Sequence, residues 1–87
     1  MYQAIGIIEL KSIAKGIEAT DAALKSAGIR LVQAHPSCPG KYEIILTGAI
    51  ADVTAAVEAG AQHAKDQGLY CNSAVIPAPH AELWAQL

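Results

Sequence analysis

The chain of 87 residues contains one pattern twice, in which a short apolar segment is followed by an alanine-rich helical segment and a second apolar segment. The segment SIAKGIEATDAA (12–23) aligns with AIADVTAAVEAG (49–60), and Ile13 then matches Ile50. Two strand–helix–strand units in succession predict the ferredoxin-like order β-α-β-β-α-β, an α/β (α+β) fold. Since such crossovers are right-handed, both helices should lie on one face of a four-stranded antiparallel sheet. The other face should stay uncovered by the chain's own elements.

Runs rich in isoleucine and valine, bounded by glycine and proline, predict the strands at 3–10, 29–35, 41–48 and 71–76. The first helix should begin after Ser12, a residue type that caps helix N-termini, and end at Gly28. The second helix should begin at Asp52 and end at Gly68, and the last residues, HAELWAQL, should form a short final helix.

Apolar residues recur at steps of three and four in both helical segments, which predicts one core-facing stripe on each. On the first helix the stripe comprises Ile13, Ile17, Thr20, Leu24 and Ala27. On the second it comprises Val53, Ala56, Val57, Gly60 and Ala64.

Composition excludes several classes of protein. The net charge is −2 and the six basic residues are scattered, which argues against a nucleic-acid-binding surface. Charged residues interrupt every apolar run well before the roughly 18 residues that a membrane span needs. The 53% apolar content is too high for a disordered chain. Two cysteines do not make a disulfide framework, so a reducing cytosol is expected.

The length predicts one domain, 1–87. A chain this short buries only about 60–68% of its unfolded surface and gains stability by associating with copies of itself. An alanine-rich domain with a half-covered sheet therefore suggests that identical copies pack side by side.

The residues give no signature of an enzyme. The three histidines are too far apart along the chain for a zinc motif, at positions 35, 63 and 80. Glu9 and Glu43 lie on predicted strands and could act as an acid–base pair, but nothing in the sequence sets their distance. No nucleophile elbow, dinucleotide fingerprint or phosphate-binding loop occurs.

Cys38 has the most distinctive surroundings, in the segment PSCPG (36–40) between two predicted strands. Two prolines and a glycine predict a tight, exposed loop. An exposed thiol is reactive and is a potential ligand for soft metals. One cysteine cannot hold a metal cluster, but a ring of identical chains would bring several thiolates together. Cysteine followed by proline also occurs where iron–sulfur clusters are bound. Cys71, on a strand, has the ordinary interpretation of a buried apolar residue.

Nearly the whole chain resembles the shell proteins of bacterial microcompartments, in particular the single-domain kind. The resemblance rests on AIGIIEL at the start, GIEATDAALKSAGIRLV through the first helix, LTGAIADVTAAVEAG entering the second helix, and VIPAPH near the end. It implies a flat homo-hexamer that tiles, with other shell proteins, into a polyhedral shell in the bacterial cytoplasm. The loop after the second strand would line a central pore for small metabolites, formed here by Ser37, Cys38, Pro39 and Gly40.

The resemblance also implies an edge of the tile at which neighbouring hexamers meet. Lys25 matches the family's edge lysine, and Pro77-Ala78-Pro79-His80 matches a Pro-Arg-Pro-His edge motif in which Ala78 replaces the arginine and His80 is retained. The Cys-Pro-Gly tip resembles that of tandem-domain shell proteins of propanediol-type compartments. In those proteins the pore cysteine holds a 4Fe–4S cluster, which implies Cys38 as its ligand here.

Three classes of function follow. The first is a structural shell tile whose pore controls metabolite passage. The second is an iron–sulfur electron-transfer protein built on the same fold. The third is a regulatory module of ferredoxin-like topology that binds a small ligand, although no binding loop for one is found in the sequence.

Overall fold

The computed structural model describes residues 3–87 and consists of four strands, two α-helices and a short 3-10 helix. The strands are β1 (Ala4–Leu10), β2 (Arg30–Ser37), β3 (Lys41–Gly48) and β4 (Tyr70–Ile76). The helices are α1 (Ile13–Ser26), α2 (Ile50–Asp66) and the 3-10 helix (Ala81–Gln86). The predicted order of strands and helices is confirmed, including the short C-terminal helix.

The four strands form one antiparallel sheet in the order β2-β3-β1-β4. β1 lies inside the sheet, where Ile7 is opposite Ile45 of β3 and Ala74 of β4. β1 and β2 are joined by α1 but separated by β3, as the ferredoxin-like crossover requires. β2 and β4 are the two edges of the sheet.

Small residues let both helices lie very close to the sheet and to each other. A Cβ placed on Gly60 of α2 would lie 2.6 Å from Ile8 Cδ1 of β1. A Cβ placed on Gly16 of α1 would collide with the Tyr42 side chain of β3. All five residues of the predicted α2 stripe are buried, namely Val53, Ala56, Val57, Gly60 and Ala64. Ala61 is buried as well.

The predicted core stripe of α1 is right for Thr20, which is buried, and for Ala27, which packs partly buried against the core, but wrong for its three large aliphatic residues. The buried residues of this helix are Gly16, Ala19, Thr20 and Ala23. Ile13 is 45% exposed, Ile17 56% and Leu24 39%. The reason is steric, because α1 approaches Tyr42 and α2 so closely that only small side chains fit between them. The large aliphatic side chains are displaced to the outer side of the helix.

Two of the four predicted helix-end residues have the expected role. Asp52 does not begin α2, because the helix already starts at Ile50 and Asp52 lies in its first turn. Ser12 caps α1, where its Oγ accepts a hydrogen bond from the Lys15 N–H at 3.0 Å. Gly68 ends α2 with φ +70°, and its N–H donates to the Lys65 carbonyl at 3.0 Å. Gly28 does not cap α1, because the chain leaves that helix directly into extended backbone at Ala27.

The prediction of a fully uncovered second sheet face is also only partly right. A Cβ placed on Gly6 would point at Val53 and Val57 of α2. Side chains alternate along a strand, so Ile5, Ile7 and Glu9 of β1 face the opposite side of the sheet. Yet Ile5 is 0% exposed, and Ile45 on the same face is 5% exposed. The Ile5 end of this face is therefore closed to solvent, although neither α-helix lies on this side. The Glu9 end of the face remains half-exposed.

We expect Gly16→Ala to destabilise the fold by about 1–3 kcal/mol, because the added methyl overlaps the Tyr42 ring in a packed core. Alanine's higher helix propensity offsets only about 1 kcal/mol of this cost. Thermal unfolding followed by circular dichroism measures the effect. Gly28→Ala is the matched control, since a Cβ there meets only Asp52 Oδ2 at 3.8 Å. Equal unfolding temperatures for the two variants would contradict the close approach of α1.

Candidate functional site

The turn between β2 and β3 is shorter than the sequence predicted. Pro36 pairs with Tyr42 and Ser37 pairs with Lys41, so both residues belong to β2 rather than to a loop. Proline is tolerated at this position because β2 is an edge strand. The connection itself is Cys38, Pro39 and Gly40. Gly40 has φ +70°, in the left-handed region that favours glycine.

The tip of this turn presents one reactive side chain. Cys38 is free and exposed, and Pro39 and Gly40 beside it are exposed as well. Cys71 is also free but only half-buried, rather than buried as predicted, and it lies on edge strand β4. Within residues 3–87 no three histidine, cysteine or acidic side chains are grouped to hold a metal ion. A metal site at the tip would therefore need thiolates from more than one chain.

Lys25 lies in the last turn of α1, where a cation is favoured by the helix dipole. Its Nζ is 2.8 Å from Oδ2 of Asp21, one turn earlier, and the two side chains are 76% and 60% exposed. The hydrogen bond to Asp21 raises the pKa of Lys25. The ammonium group is thus charged, exposed and already held by a carboxylate of its own helix.

The segment Pro77-Ala78-Pro79-His80 follows β4. Ala78 and His80 are both exposed. Nδ1 of His80 accepts a hydrogen bond from the Glu82 N–H at 3.1 Å and so caps the 3-10 helix. The suggestion that His80 begins the last helix is therefore confirmed.

The register of the sheet places these predicted site residues at two opposite ends. Cys38 follows the Ser37–Lys41 pair, and this end also contains Leu10 of β1, opposite Tyr42. At the other end Arg30 is opposite Thr47, and Ile5 is opposite both Thr47 and Ile76. Lys25 is near that second end, because α1 closes four residues before Arg30, and Pro77–His80 continue from Ile76. An eight-residue strand is about 26 Å long, so the structure does not bring Cys38 close to the predicted edge residues.

Exposed aliphatic side chains form a lateral apolar face on one side of the molecule. The face comprises Ile13, Ile17 and Leu24 of α1 together with Leu31 of β2. α1 packs over β2 and β3, and Leu31 points toward the helix side of the sheet because it is opposite the buried Leu46. The apolar periodicity of α1 identified Ile13, Ile17 and Leu24 as one stripe, but the sequence predicted that this stripe would face the core. Exposed apolar patches of this kind are typical of protein–protein interfaces.

The two strand carboxylates that the sequence left at an unknown distance are opposite each other. Glu9 of β1 pairs with Glu43 of β3, and both are half-exposed on the face away from the helices. A shallow cavity of about 220 Å³ lies beside Glu9, on the β4 side, and is lined by Ile7, Glu9, Asn72, Ser73 and Ala74. Like charges directly opposite are unfavourable in a sheet, and no lysine or arginine among residues 3–87 forms an ion pair with either.

The three histidines lie on different elements and make no common site. His35 is on β2, opposite Glu43. His63 of α2 is half-buried, with Nε2 at 3.5 Å from Oε2 of Glu18 on α1. Glu18 also accepts a hydrogen bond from Lys15 Nζ at 2.8 Å, which lowers the pKa of the Glu18 carboxyl.

Comparison with known proteins gives a consistent family assignment. Residues 4–79 match the sequence profile of the BMC domain. The chain is 46% identical over 83 residues to the bacterial microcompartment shell protein PduT of Citrobacter freundii, covering 95% of this chain and 44% of PduT. It is 37% identical over 81 residues to the shell protein PduA of the same organism, covering 93% of this chain and 87% of PduA.

A solved structure supports the same assignment. The crystal structure of a microcompartments protein from Desulfitobacterium hafniense superposes with a TM-score of 0.87 at 38% identity, covering 95% of this chain and 45% of that one. The chain thus spans less than half the length of PduT and of the Desulfitobacterium protein. No helix among residues 3–87 is long and apolar enough to cross a membrane.

We expect Cys38 to react several-fold faster than Cys71 with a soluble disulfide reagent, because only Cys38 is exposed at a turn tip. The variants Cys71→Ser and Cys38→Ser isolate each thiol in turn. The rate of thiolate release, followed by absorbance, measures the difference. A faster reaction at Cys71 would show that the tip thiol is shielded.

Proposed function

Because the chain belongs to the BMC-domain family, we propose that it assembles into a cyclic homo-hexamer that serves as a tile of a bacterial microcompartment shell. Its relatives PduT and PduA are named as shell proteins. The prediction that the chain is not an enzyme agrees with these relatives. The hexamer, the pore, the edge contacts and the one-domain organisation over 1–87 are parts of the proposal.

The proposal rests above all on the separation of Cys38 from the edge residues. In a flat ring, one end of each subunit lies at the central axis and the other at the rim. The sheet register puts the Cys38 tip at one end, and the α1 terminus with Pro77–His80 at the other. One orientation of the subunit therefore supplies both a pore lining and an outer edge.

The lateral apolar face supplies a reason for copies to associate. It lies beside edge strand β2, whereas the other edge of the sheet is β4. If this face meets a different surface of the next copy, the contact is heterologous, and repetition closes a ring when the rotation permits. Obligate interfaces of this kind commonly bury more than about 2,000 Å² and are rich in apolar residues.

In such a ring the residues Ser37, Cys38, Pro39 and Gly40 of each chain line the central opening. The exposed Cys38 thiol is the one reactive group that this tip presents, so thiols would line the opening. We propose that small metabolites pass through it. At the rim Ala78 is too short to reach a neighbouring ring, so contacts with other shell proteins would supplement those of Lys25 and His80.

A second candidate is an iron–sulfur protein, favoured by the exposure of Cys38 at a turn tip. Thiolates are the ligands that iron–sulfur clusters require, and a bound cluster would supply one-electron transfer across the shell. The donor set fits only if chains share it, because each tip offers one thiol. A 4Fe–4S cluster takes four thiolates, so four tips of a six-membered ring would hold it and two would stay free.

We expect Ile17→Asp to remove the protein from the soluble ring fraction. Ile17 is the most exposed large aliphatic residue of the lateral face, at 56%, and a carboxylate cannot be buried there without a partner. Native mass spectrometry should show a ring of six 9.0 kDa chains for the wild type. The variant should be insoluble rather than a stable monomer.

Glu58→Asp on the exposed side of α2 is the control for handling and expression, and it should form the wild-type ring. A soluble, well-folded Ile17→Asp monomer would count against obligate assembly. An unchanged ring would count against the lateral face. A dimer or trimer of the wild type would favour a ligand-binding module instead.

Anaerobic reconstitution with iron and sulfide tests the second candidate. A cluster shared by Cys38 thiolates should give broad visible absorbance and a brown colour that Cys38→Ser abolishes and Cys71→Ser leaves unchanged. Iron and sulfide analysis of the isolated rings measures the stoichiometry. Colourless rings after reconstitution would reject the cluster and leave a thiol-lined pore.

A further inference from the structure

We propose that His63 of α2 and Glu18 of α1 form a pH-dependent link between the two helices, which closes when the imidazole takes up a proton. The inference goes beyond the proposed ring and does not depend on it. The starting observation is Nε2 of His63, which is buried and has no hydrogen-bond partner among residues 3–87. This atom lies 3.5 Å from Oε2 of Glu18, with no hydrogen bond closed between them.

The charge of the imidazole determines whether this gap closes. A neutral imidazole carries one proton on its two ring nitrogens, whereas a protonated imidazole carries a proton on both, so Nε2 must then donate. Charge-assisted hydrogen bonds of this type are about 2.7–2.9 Å long, so a movement of less than about 1 Å closes the link. Imidazole is the side chain that ordinarily changes its charge between about pH 5 and pH 8.

Glu18 is held ready as the acceptor. Nζ of Lys15 lies 2.8 Å from Oε1 of Glu18 and 3.4 Å from Oε2, so Oε2 remains available to His63. The hydrogen bond from Lys15 lowers the pKa of the Glu18 carboxyl, and the charge of His63 lowers it further. The carboxylate therefore keeps its charge over the pH range in which an imidazole titrates.

Neighbouring charged groups on the two helices already have other partners. On α1, Lys25 Nζ is 2.8 Å from Asp21 Oδ2. On α2, Oδ1 of Asp66 accepts a hydrogen bond from Gln62 Nε2 at 2.8 Å. Glu18 is thus the carboxylate that faces His63 from the opposite helix.

The sheet adds no competing charge on this side in the described part of the chain. Lys65 Nζ lies over the Tyr70 ring of β4, 4.7 Å from its centroid, and the Tyr70 hydroxyl is hydrogen-bonded to Ser73. The charged residues of β1 and β3 alternate with residues that face the helices and so face the other way. They are Glu9, Lys41 and Glu43.

The small-residue packing between the helices makes such a link matter. Gly60 of α2 lies against Ala19 and Ala23 of α1, and these side chains bury little apolar area. A charge-assisted bond beside them is therefore a substantial part of what holds the two helices together. Its contribution is present when His63 is protonated, and it is lost as the pH rises and the imidazole gives up its proton.

A double-mutant cycle at two pH values tests the link. His63→Gln and Glu18→Gln keep a polar side chain but remove the charge. We expect a coupling of about 1–4 °C in the unfolding temperature at about pH 5.5 and none at about pH 8, because imidazoles lose their proton between these values. Circular dichroism at one chain concentration measures unfolding, and native mass spectrometry checks that all variants have the same oligomeric state.

Asp66→Asn is the matched control for Glu18→Gln. It removes a carboxylate one turn from His63 on the same helix, and it should show no coupling to His63→Gln at either pH. Hydrogen exchange measured by mass spectrometry gives a second readout that does not need complete unfolding. Peptides from residues 13–26 should exchange several-fold faster in His63→Gln than in the wild type at about pH 5.5, and equally fast at about pH 8.

The outcomes distinguish this inference from the proposed function. Equal coupling at both pH values, no coupling at either, or a larger coupling at the higher pH would overturn the link. A His63→Gln variant that fails to fold even at about pH 8 would also overturn it, because the imidazole would then act through packing rather than charge. Absence of rings in the wild type would reject the hexamer and leave this test unchanged.

Discussion

The close approach of both helices to the sheet determines most of this structure. Gly60 lies against Ile8, and Gly16 lies against the Tyr42 ring, with no space for a methyl group at either position. Packing at such short distances leaves room only for glycine, alanine and a few branched residues. The core is consequently thin, and it cannot bury every large aliphatic side chain that the sequence contains. The residues excluded from it become the surface through which the chain can associate.

That exclusion links the fold to its proposed function. Ile13, Ile17 and Leu24 are large apolar residues on a helix whose inner side is already filled by Gly16, Ala19 and Ala23. A monomer gains nothing from exposing them, but the proposed ring would bury them against the next subunit. In that proposed ring each sheet would extend from the central axis to the rim, with the Cys38 turn at one end and the C-terminal end of α1 at the other. Stability and assembly therefore depend on the same packing.

The sequence was sufficient for the fold and for two of the four helix ends it predicted, since Gly28 does not end α1 and α2 begins at Ile50 rather than at Asp52. The repeated strand–helix–strand pattern predicted the element order, and Ser12 and Gly68 act as local hydrogen-bonding rules predict. It did not predict which side of α1 is buried. Periodicity identifies an apolar stripe but cannot say whether the stripe meets the core of its own chain or a partner. Gly28 shows a similar limit, because glycine permits a left-handed cap without requiring one.

The sequence identified the residues of the candidate site better than it predicted their arrangement. The PSCPG segment identified the exposed thiol, yet Pro36 and Ser37 extend β2. An edge strand tolerates proline, because the missing N–H is on the side that has no neighbouring strand. The pairing of Glu9 with Glu43 follows from strand register, which single-strand patterns do not contain. Lys25 was identified by resemblance alone. Its contact with Asp21 becomes apparent only when side-chain positions are known.

Because the β2–β3 turn is so short, a single substitution can change the chemistry of its tip. Strand pairing continues up to Ser37 and Lys41, so three residues span the connection and only Cys38 offers a chemically active group. In the proposed ring, replacing that residue would alter the lining of the opening, while the hydrogen-bonded strand pairing behind it would hold the backbone in place. If such rings form a shell, the chemistry of their openings could then diversify by single codon changes, without any compensating adjustment in the rest of the protein.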